Sequence, residues 1–340
     1  MNTQVDCALV TALPKELDKL LFHFRHSISI TENSRVFYET TTPSGIKLVG
    51  SVAQGVGQIN AVALVSDLIR KYEPKTVILV GITGGLDRNI KLGDVVISSQ
   101  IIDYEIGKIT PSGLDIRWSV YPVDSSLLNK ALSYRNNSWV EYIRTPRPDE
   151  KGKAPSCHIG LYLSGNKVIA DEKAAGALLS FWKRASAIEM EAAGIAAILR
   201  QMPNPPGFIT MKGVCDYADS NKSDLWQEYA ADAAASFAYS FINDLLLPDF
   251  PTSAHKNNEL EFPNFDFRAL RVLLQDTYNL AELNILCGDL NIDWEDIPGR
   301  TKSEKIVELI RYLSRRNKLN ELVEIVNKDR NNILTAYVSK

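Results

Sequence analysis

An α/β domain with a mixed central sheet flanked by helices, followed by a small all-helical bundle, is the fold class this sequence predicts. Three observations predict it. Short β-branched runs alternate with longer helical patterns over residues 1–247. Several of those runs are apolar at consecutive positions, as a strand covered on both faces requires. Beyond residue 261 the strand pattern does not recur.

The elements follow in order. Residues 5–10, 46–52, 76–81, 94–99, 158–165 and 207–214 read as strands. Helical spacing covers Lys15–Phe24, Ile59–Lys71, Asp171–Trp182, Ile188–Gln201 and Trp226–Leu247. Residues 104–157 are Gly/Pro-rich and charged, and read as a long irregular insertion of the kind that forms lids or binding loops. Two prolines and a polar run then mark residues 248–261 as a linker. Helices are expected near Phe265–Gln275, Leu280–Leu286, Ser303–Ser314 and Leu319–Val326, with Thr301 or Ser303 as an N-cap. The domain expectation is therefore 1–247, a linker at 248–261, and a helical module at 262–335.

Composition narrows the function. The 340 residues carry 38 Lys+Arg against 41 Asp+Glu, a net charge of -3, with 45% hydrophobic and 23% charged residues. That balance is globular and excludes a disordered chain. It provides no basic footprint for nucleic acid or an anionic membrane. The N-terminal stretch lacks a cationic segment followed by an apolar one, so the cytoplasm is the expected compartment. The longest apolar stretch, 230–247, is interrupted by Asp232 and Asp244, so no membrane span is expected. Cys7, Cys157, Cys215 and Cys287 form no paired spacing, which argues against structural zinc and a disulfide framework.

Four segments carry chemistry. In the first, a strand runs into Gly81-Ile82-Thr83-Gly84-Gly85, where glycines let a backbone turn sharply and approach a ligand. A tight junction with no ligand is the other reading. The nearby Gln54-Gly55-Val56-Gly57-Gln58 lacks the Lys-Ser/Thr of a P-loop. In the second, Glu189-Met190-Glu191 lies in an otherwise apolar, helical-looking segment. Residues two apart on a helix diverge, so one glutamate needs a polar partner if the surroundings are buried. A sugar diol is such a partner; a surface pair is the alternative.

In the third, the strand ending Met211-Lys212-Gly213-Val214 leads into Cys215-Asp216. An acid at the carboxyl end of a buried strand suits general acid or base work, and a helix cap explains it equally. In the fourth, Glu16 stands in the first turn of a helix begun by Pro14. The helix dipole accounts for it, and so does a role in holding water.

Together these segments resemble the nucleoside phosphorylase/nucleosidase superfamily over about residues 5–245, nearest to its 5′-methylthioadenosine/S-adenosylhomocysteine nucleosidases and AMP nucleosidases. GITGGL, SGNKVI, AIEMEAAG and CDYAD carry the resemblance. It implies a nucleoside phosphorylase-like, partly barrel-like sheet and no cofactor or metal. It implies that Asp216 donates a proton to purine N7 and that Glu16 positions the attacking water. Glu191 would bind the ribose hydroxyls and Met190 would pack on the sugar, with Glu189 beside them. Val168 and Ile169 would contact the base. Ile82 and Thr83, with Gly84, stand where the family has a Ser-Ala pair, and Cys215 replaces a serine.

Phosphorolytic members carry arginines after the first strand and near the glycine run. Here those places read TALPKEL and VGITGG, so hydrolysis is expected. Lys108, Arg117, Arg144 and Arg147 in the insertion are candidates for a 5′-phosphate, with solvated charge as the alternative.

Residues 262–335 resemble an effector-associated, death-fold-like adaptor of bacterial conflict systems. An acidic set (Asp289, Asp293, Glu295, Asp296) precedes a basic helix with Lys302, Lys305, Arg311, Arg315 and Arg316. Such patches favour head-to-tail pairing with a protein carrying a similar domain. The expected function is purine N-glycoside hydrolysis by an anti-phage effector. A catalytically inactive nucleoside sensor and a phosphate-dependent phosphorylase are the alternatives. The expected partners are a purine nucleoside or nucleotide and, by resemblance, further copies of the chain in a homo-oligomer.

Overall fold

The computed structural model describes residues 4–24, 27–42, 45–111, 113–149, 153–245, 267–299, 301–314 and 319–329. The expected linker at 248–261 lies outside them. Elements from Cys7 to Leu245 form one compact unit and those from Phe267 to Asp329 another.

The first unit opens with Cys7–Thr11 (β1), Pro14–His23 (α1), Ile28–Glu32 (β2), Arg35–Thr41 (β3), Lys47–Val52 (β4) and Gln58–Tyr72 (α2). It continues with Thr76–Gly85 (β5), Val95–Asp103 (β6), Gly107–Thr110 (β7), Gly113–Ile116 (β8), Ser119–Pro122 (β9) and Ser125–Ser133 (α3). Cys157–Ser164 (β10), Glu172–Phe181 (α4), Ala185–Glu189 (β11), Ala192–Leu199 (α5), Gly207–Asp216 (β12) and Gln227–Leu245 (α6) complete it.

Strands β5, β12, β6, β10 and β11 close into a ring, because β11 pairs in parallel with β10 and antiparallel with β5. The open wing β1-β4-β3-β2 extends from β5. Consecutive apolar residues in β5 serve both faces. Val77 and Leu79 pack with Leu64, Val65 and Leu68 of α2, while Ile78 and Val80 pack with Leu20 of α1 and Phe237 and Phe241 of α6. Each such side chain contributes about 1.5–3 kcal/mol of burial free energy. Gly194 of α5 lets that helix touch α2: a Cβ there would meet Gln58 Cβ at 2.7 Å.

The structure departs from the sequence reading in three places. The segment 104–157 is not wholly irregular, since β9 adds to β6, β7 pairs with β8, and α3 follows. The β2–β3 hairpin is an addition to that reading; β2 buries no residue and β3 buries only Phe37, so neither is a run covered on both faces. Ile188 and Glu189, expected to start a helix, instead end a strand over Ala185–Glu189, and the helix begins at Ala192. The strand's apolar run continues into α5 without a break, and periodicity cannot divide it.

In the second unit, Phe267–Thr277 (α7), Leu280–Asp289 (α8), Lys302–Ser314 (α9) and Leu319–Asp329 (α10) surround Leu270, Leu273, Leu283, Leu286, Ile306, Leu309, Leu313 and Leu322. Asn279 caps α8, accepting from the Glu282 amide at 2.9 Å while Glu282 accepts from the Asn279 amide at 2.7 Å. Thr301, as expected, accepts from the Glu304 amide at 3.3 Å. The basic face is smaller than expected. Lys302 donates to the Gln275 carbonyl, and Lys305 donates to the carbonyls of Trp294 and Ile297. Arg315 and Arg316, and the side chain of Arg311, lie outside the described residues. No helix among the described residues is long and apolar enough to cross a membrane.

Candidate active site

The ends of β5, β11 and β12 and the β1–α1 junction converge on a cleft of about 190 Å³. Ligands of open α/β sheets sit at such carboxyl ends. Glu16 stands at the third position of α1 and is 2% exposed. Its Oε2 accepts from the amides of Ala12 at 2.8 Å and Leu13 at 2.9 Å, and its Oε1 accepts from the Ile82 amide at 2.8 Å. Burial pushes its carboxyl above the ordinary range, while Lys212 and the three amides pull it back. Gly81 makes room for it, since a Cβ there would lie 2.2 Å from Glu16 Oε1. The glycine run is therefore not a turn. It is the end of β5, packed against a carboxylate.

Glu189 ends β11 and Glu191 is the N-cap of α5. Both are buried, which excludes the surface pair. Lys212 of β12, 1% exposed, donates to Glu189 Oε2 at 2.9 Å and to Glu191 Oε2 at 2.8 Å. Burial opposes the ammonium, but Glu189, Glu191 and Glu16 hold it charged and raise its pKa. Glu191 is buried too, yet Lys212 and the Gly57 amide, donating at 2.9 Å, hold its carboxyl below the usual range. The Glu189 oxygens also accept from the amides of Glu191 and Ala192, at 3.1 Å. Glu189 thus caps α5, whereas Glu191 keeps lone pairs for a ligand.

Asp216 ends β12 and is 5% exposed. Its Oδ1 accepts from the Ala218 amide at 2.9 Å, and its Oδ2 from Lys222 Nζ at 2.5 Å. Cys215 Sγ lies 3.2 Å from Oδ2. Burial and the adjacent Asp216 push that thiol well up, so it stays protonated.

Ile82, Thr83, Gly84, Val168, Ile169 and Met190 line the same cleft, and Thr83 Oγ1 is fixed by donation to the Ile188 carbonyl at 2.8 Å. Arg117 does not line it. It is exposed, and its amide donates to the Ile106 carbonyl. Lys108, Arg144 and Arg147 are also absent from the lining, and Arg147 lies over the ring of Trp226 at 5.0 Å and pairs with Asp149. These long side chains gave no sequence signal of where the insertion folds. Among the lining residues that escaped the sequence reading are Lys212 and Lys222. Lys212 had a signal: a lysine inside a both-faces-buried strand demands acids nearby.

A family model for the phosphorylase superfamily matches residues 6–244, and one for effector-associated domain 7 matches residues 270–331. A 5′-methylthioadenosine/S-adenosylhomocysteine nucleosidase of Exiguobacterium sp. is 26% identical over 235 residues, covering 68% of this chain and 93% of that protein. The ATP nucleosidase Cap17 of Escherichia coli is 28% identical over 257 residues, covering 69% of this chain but 50% of that protein. Among solved structures, the 5′-methylthioadenosine/S-adenosylhomocysteine nucleosidase of Neisseria meningitidis with methylthio-immucillin-A superposes with a TM-score of 0.56 at 22% identity, covering 71% of this chain and 99% of that one. Futalosine hydrolase of Helicobacter pylori gives 0.57 at 17%, covering 71% and 98%. The nucleoside phosphorylase-like fold with its partial barrel is therefore present.

Proposed function

The chain belongs to the phosphorylase superfamily, and from that premise we propose that it hydrolyses the N-glycosidic bond of a purine nucleoside or nucleotide, releasing free base and ribose or ribose phosphate. The observation that carries this reading is the convergence of Glu16, Glu191 and Asp216, all buried, on one cleft. Asp216 protonates N7, so the base leaves neutral. Glu191 accepts hydrogen bonds from the ribose hydroxyls while Met190 packs on the sugar, and Val168 and Ile169 contact the base. Glu16, its carboxyl pushed above the ordinary range by burial, holds the water that captures C1′.

Charge supports water as the acceptor. Each lysine among the described lining residues is already paired with a carboxylate: Lys212 with Glu189 and Glu191, Lys222 with Asp216, and Lys167 with Glu105. A phosphate anion beside C1′ would have to compete with those carboxylates for its cation. The match to effector-associated domain 7 and the similarity to an ATP nucleosidase support a role as an anti-phage effector recruited through the helical unit. Recruitment would be by a protein with a similar domain, with the enzyme acting as a homo-oligomer in the cytoplasm.

The test incubates the purified chain with adenosine, methylthioadenosine, AMP and ATP, with and without phosphate, and resolves products chromatographically. Base release without phosphate is expected. Release only with phosphate, as the sugar 1-phosphate, would contradict hydrolysis.

A further inference from the structure

We propose that Lys222 is a positioning residue that holds the Asp216 carboxylate in the cleft and resupplies it with the proton the departing base takes. This rests on the hydrolase reading above and adds a proton source to it.

The geometry begins with a built turn. Ala218 takes a left-handed φ of 55°, uncommon for a residue with a Cβ, while its amide donates to Asp216 Oδ1 at 2.9 Å. Asp219 then accepts from the Asn221 amide through Oδ1 at 3.0 Å and from the Lys222 amide through its carbonyl at 3.1 Å. Arg88 fixes the turn from outside: it donates to Asp219 Oδ2 at 2.9 Å and lies 4.5 Å over the Tyr217 ring. The chain curls back, and a residue six positions on reaches the carboxylate. Lys222 Nζ stands 2.5 Å from Asp216 Oδ2.

Exposure separates the two partners. The Asp216 side chain is 3% exposed and that of Lys222 is 29% exposed. A buried acid that gives up a proton each turnover needs a path for its replacement, and Lys222 spans from the cleft to water. The ammonium stands within hydrogen-bond distance of Asp216 Oδ2, so it is placed to replace the proton that leaves with the base.

The step balances. As the C1′–N9 bond breaks, its electron pair passes to the purine and N7 becomes basic. Asp216 delivers a proton to N7 as the Lys222 ammonium gives one to the Asp216 carboxylate. The net change is one proton from ammonium to base, with Asp216 again a carboxylate. Solvent then reprotonates the neutral amine.

The test measures kcat for base release from pH 5 to pH 9 in the wild type, Lys222→Met and Lys222→Arg, with melting temperatures showing that each is folded. Lys222→Met is expected to lose roughly a hundredfold at pH 8 and much less at pH 5, where the acidic solvent is itself a ready proton source. Lys222→Arg keeps the ion pair but does not release a proton in this range, so at least about a tenfold loss is expected at pH 8. A loss in Lys222→Met that is equal at every pH would overturn the proposal as a merely structural effect. Full activity in Lys222→Arg would overturn it too, leaving only charge at work. A wild type that releases no base from any purine nucleoside or nucleotide overturns the hydrolase reading itself, and this proposal with it.

Discussion

Lys212 and Lys222 both donate to carboxylates of the same cleft, at 2.8–2.9 Å and at 2.5 Å, yet one side chain is 2% exposed and the other 29%. Lys212 sits in the middle of β12, where both sheet faces are covered, and it neutralises part of a cluster of three acids. Its side chain is buried and held by two carboxylates, so its charge is a fixed part of the architecture. Lys222 sits on a turn, beside a single acid. The contrast shows how one chemical pair serves two purposes. Sealed in the strand it fixes the buried acids in place, and opened to water it is suited to the proton exchange proposed for Lys222.

The largest effect that tests this contrast is at the sealed end. Lys212→Met leaves Glu189 and Glu191 buried without their cation, which costs about 3–5 kcal/mol of stability. Denaturant unfolding checks it; a loss under about 1 kcal/mol would mean that the end is wetter than its burial implies. Next is Gly81→Ala, whose Cβ must displace Glu16. Base release should fall by roughly a hundredfold, read from kcat, with the fold retained by circular dichroism.

A third buried pair, away from the cleft, sharpens the comparison. Burial alone would push the Asp232 carboxyl up, but His23 and the amides of Thr145 and Arg144 pull it from 3.8 to about 2. A depressed carboxyl stabilises the fold above its unfolded value and loses that contribution as pH falls. Asp232 should therefore contribute roughly 1–2 kcal/mol that disappears between about pH 4 and pH 2. Asp232→Asn should flatten that part of the stability profile, measured by thermal melts. The smallest effect belongs to the helical unit. Asn279→Ala removes the cap of α8 and costs about 1 kcal/mol, seen in unfolding of the full chain, with base release unchanged.

Much of the fold was legible because buried strands announce themselves. The runs at β1, β4, β5, β6, β10 and β12 each place apolar residues at consecutive positions. Strand β11 was not, because ASAIE merges with the apolar start of α5. Glu16, Glu191 and Asp216 were legible as acids placed where apolar segments end. What the sequence could not express was pairing across the sheet. Lys212 reads as a polar interruption until β11 is placed beside β12's partners, and Lys222 reads as a loop charge until Ala218 turns the chain. The insertion's arginines misled for the same reason, since a cation's target depends on where its loop lands.

The most direct test of the central claim is adenine release by Asp216→Asn beside the wild type, on whichever substrate of the panel the wild type cleaves. Asparagine keeps the shape of the side chain but has no proton to pass. A fall of about 10²–10⁴-fold with substrate affinity retained is the expected result. Release within a fewfold of the wild type would contradict the assignment of Asp216 as the acid and, with it, the chemistry proposed for this cleft.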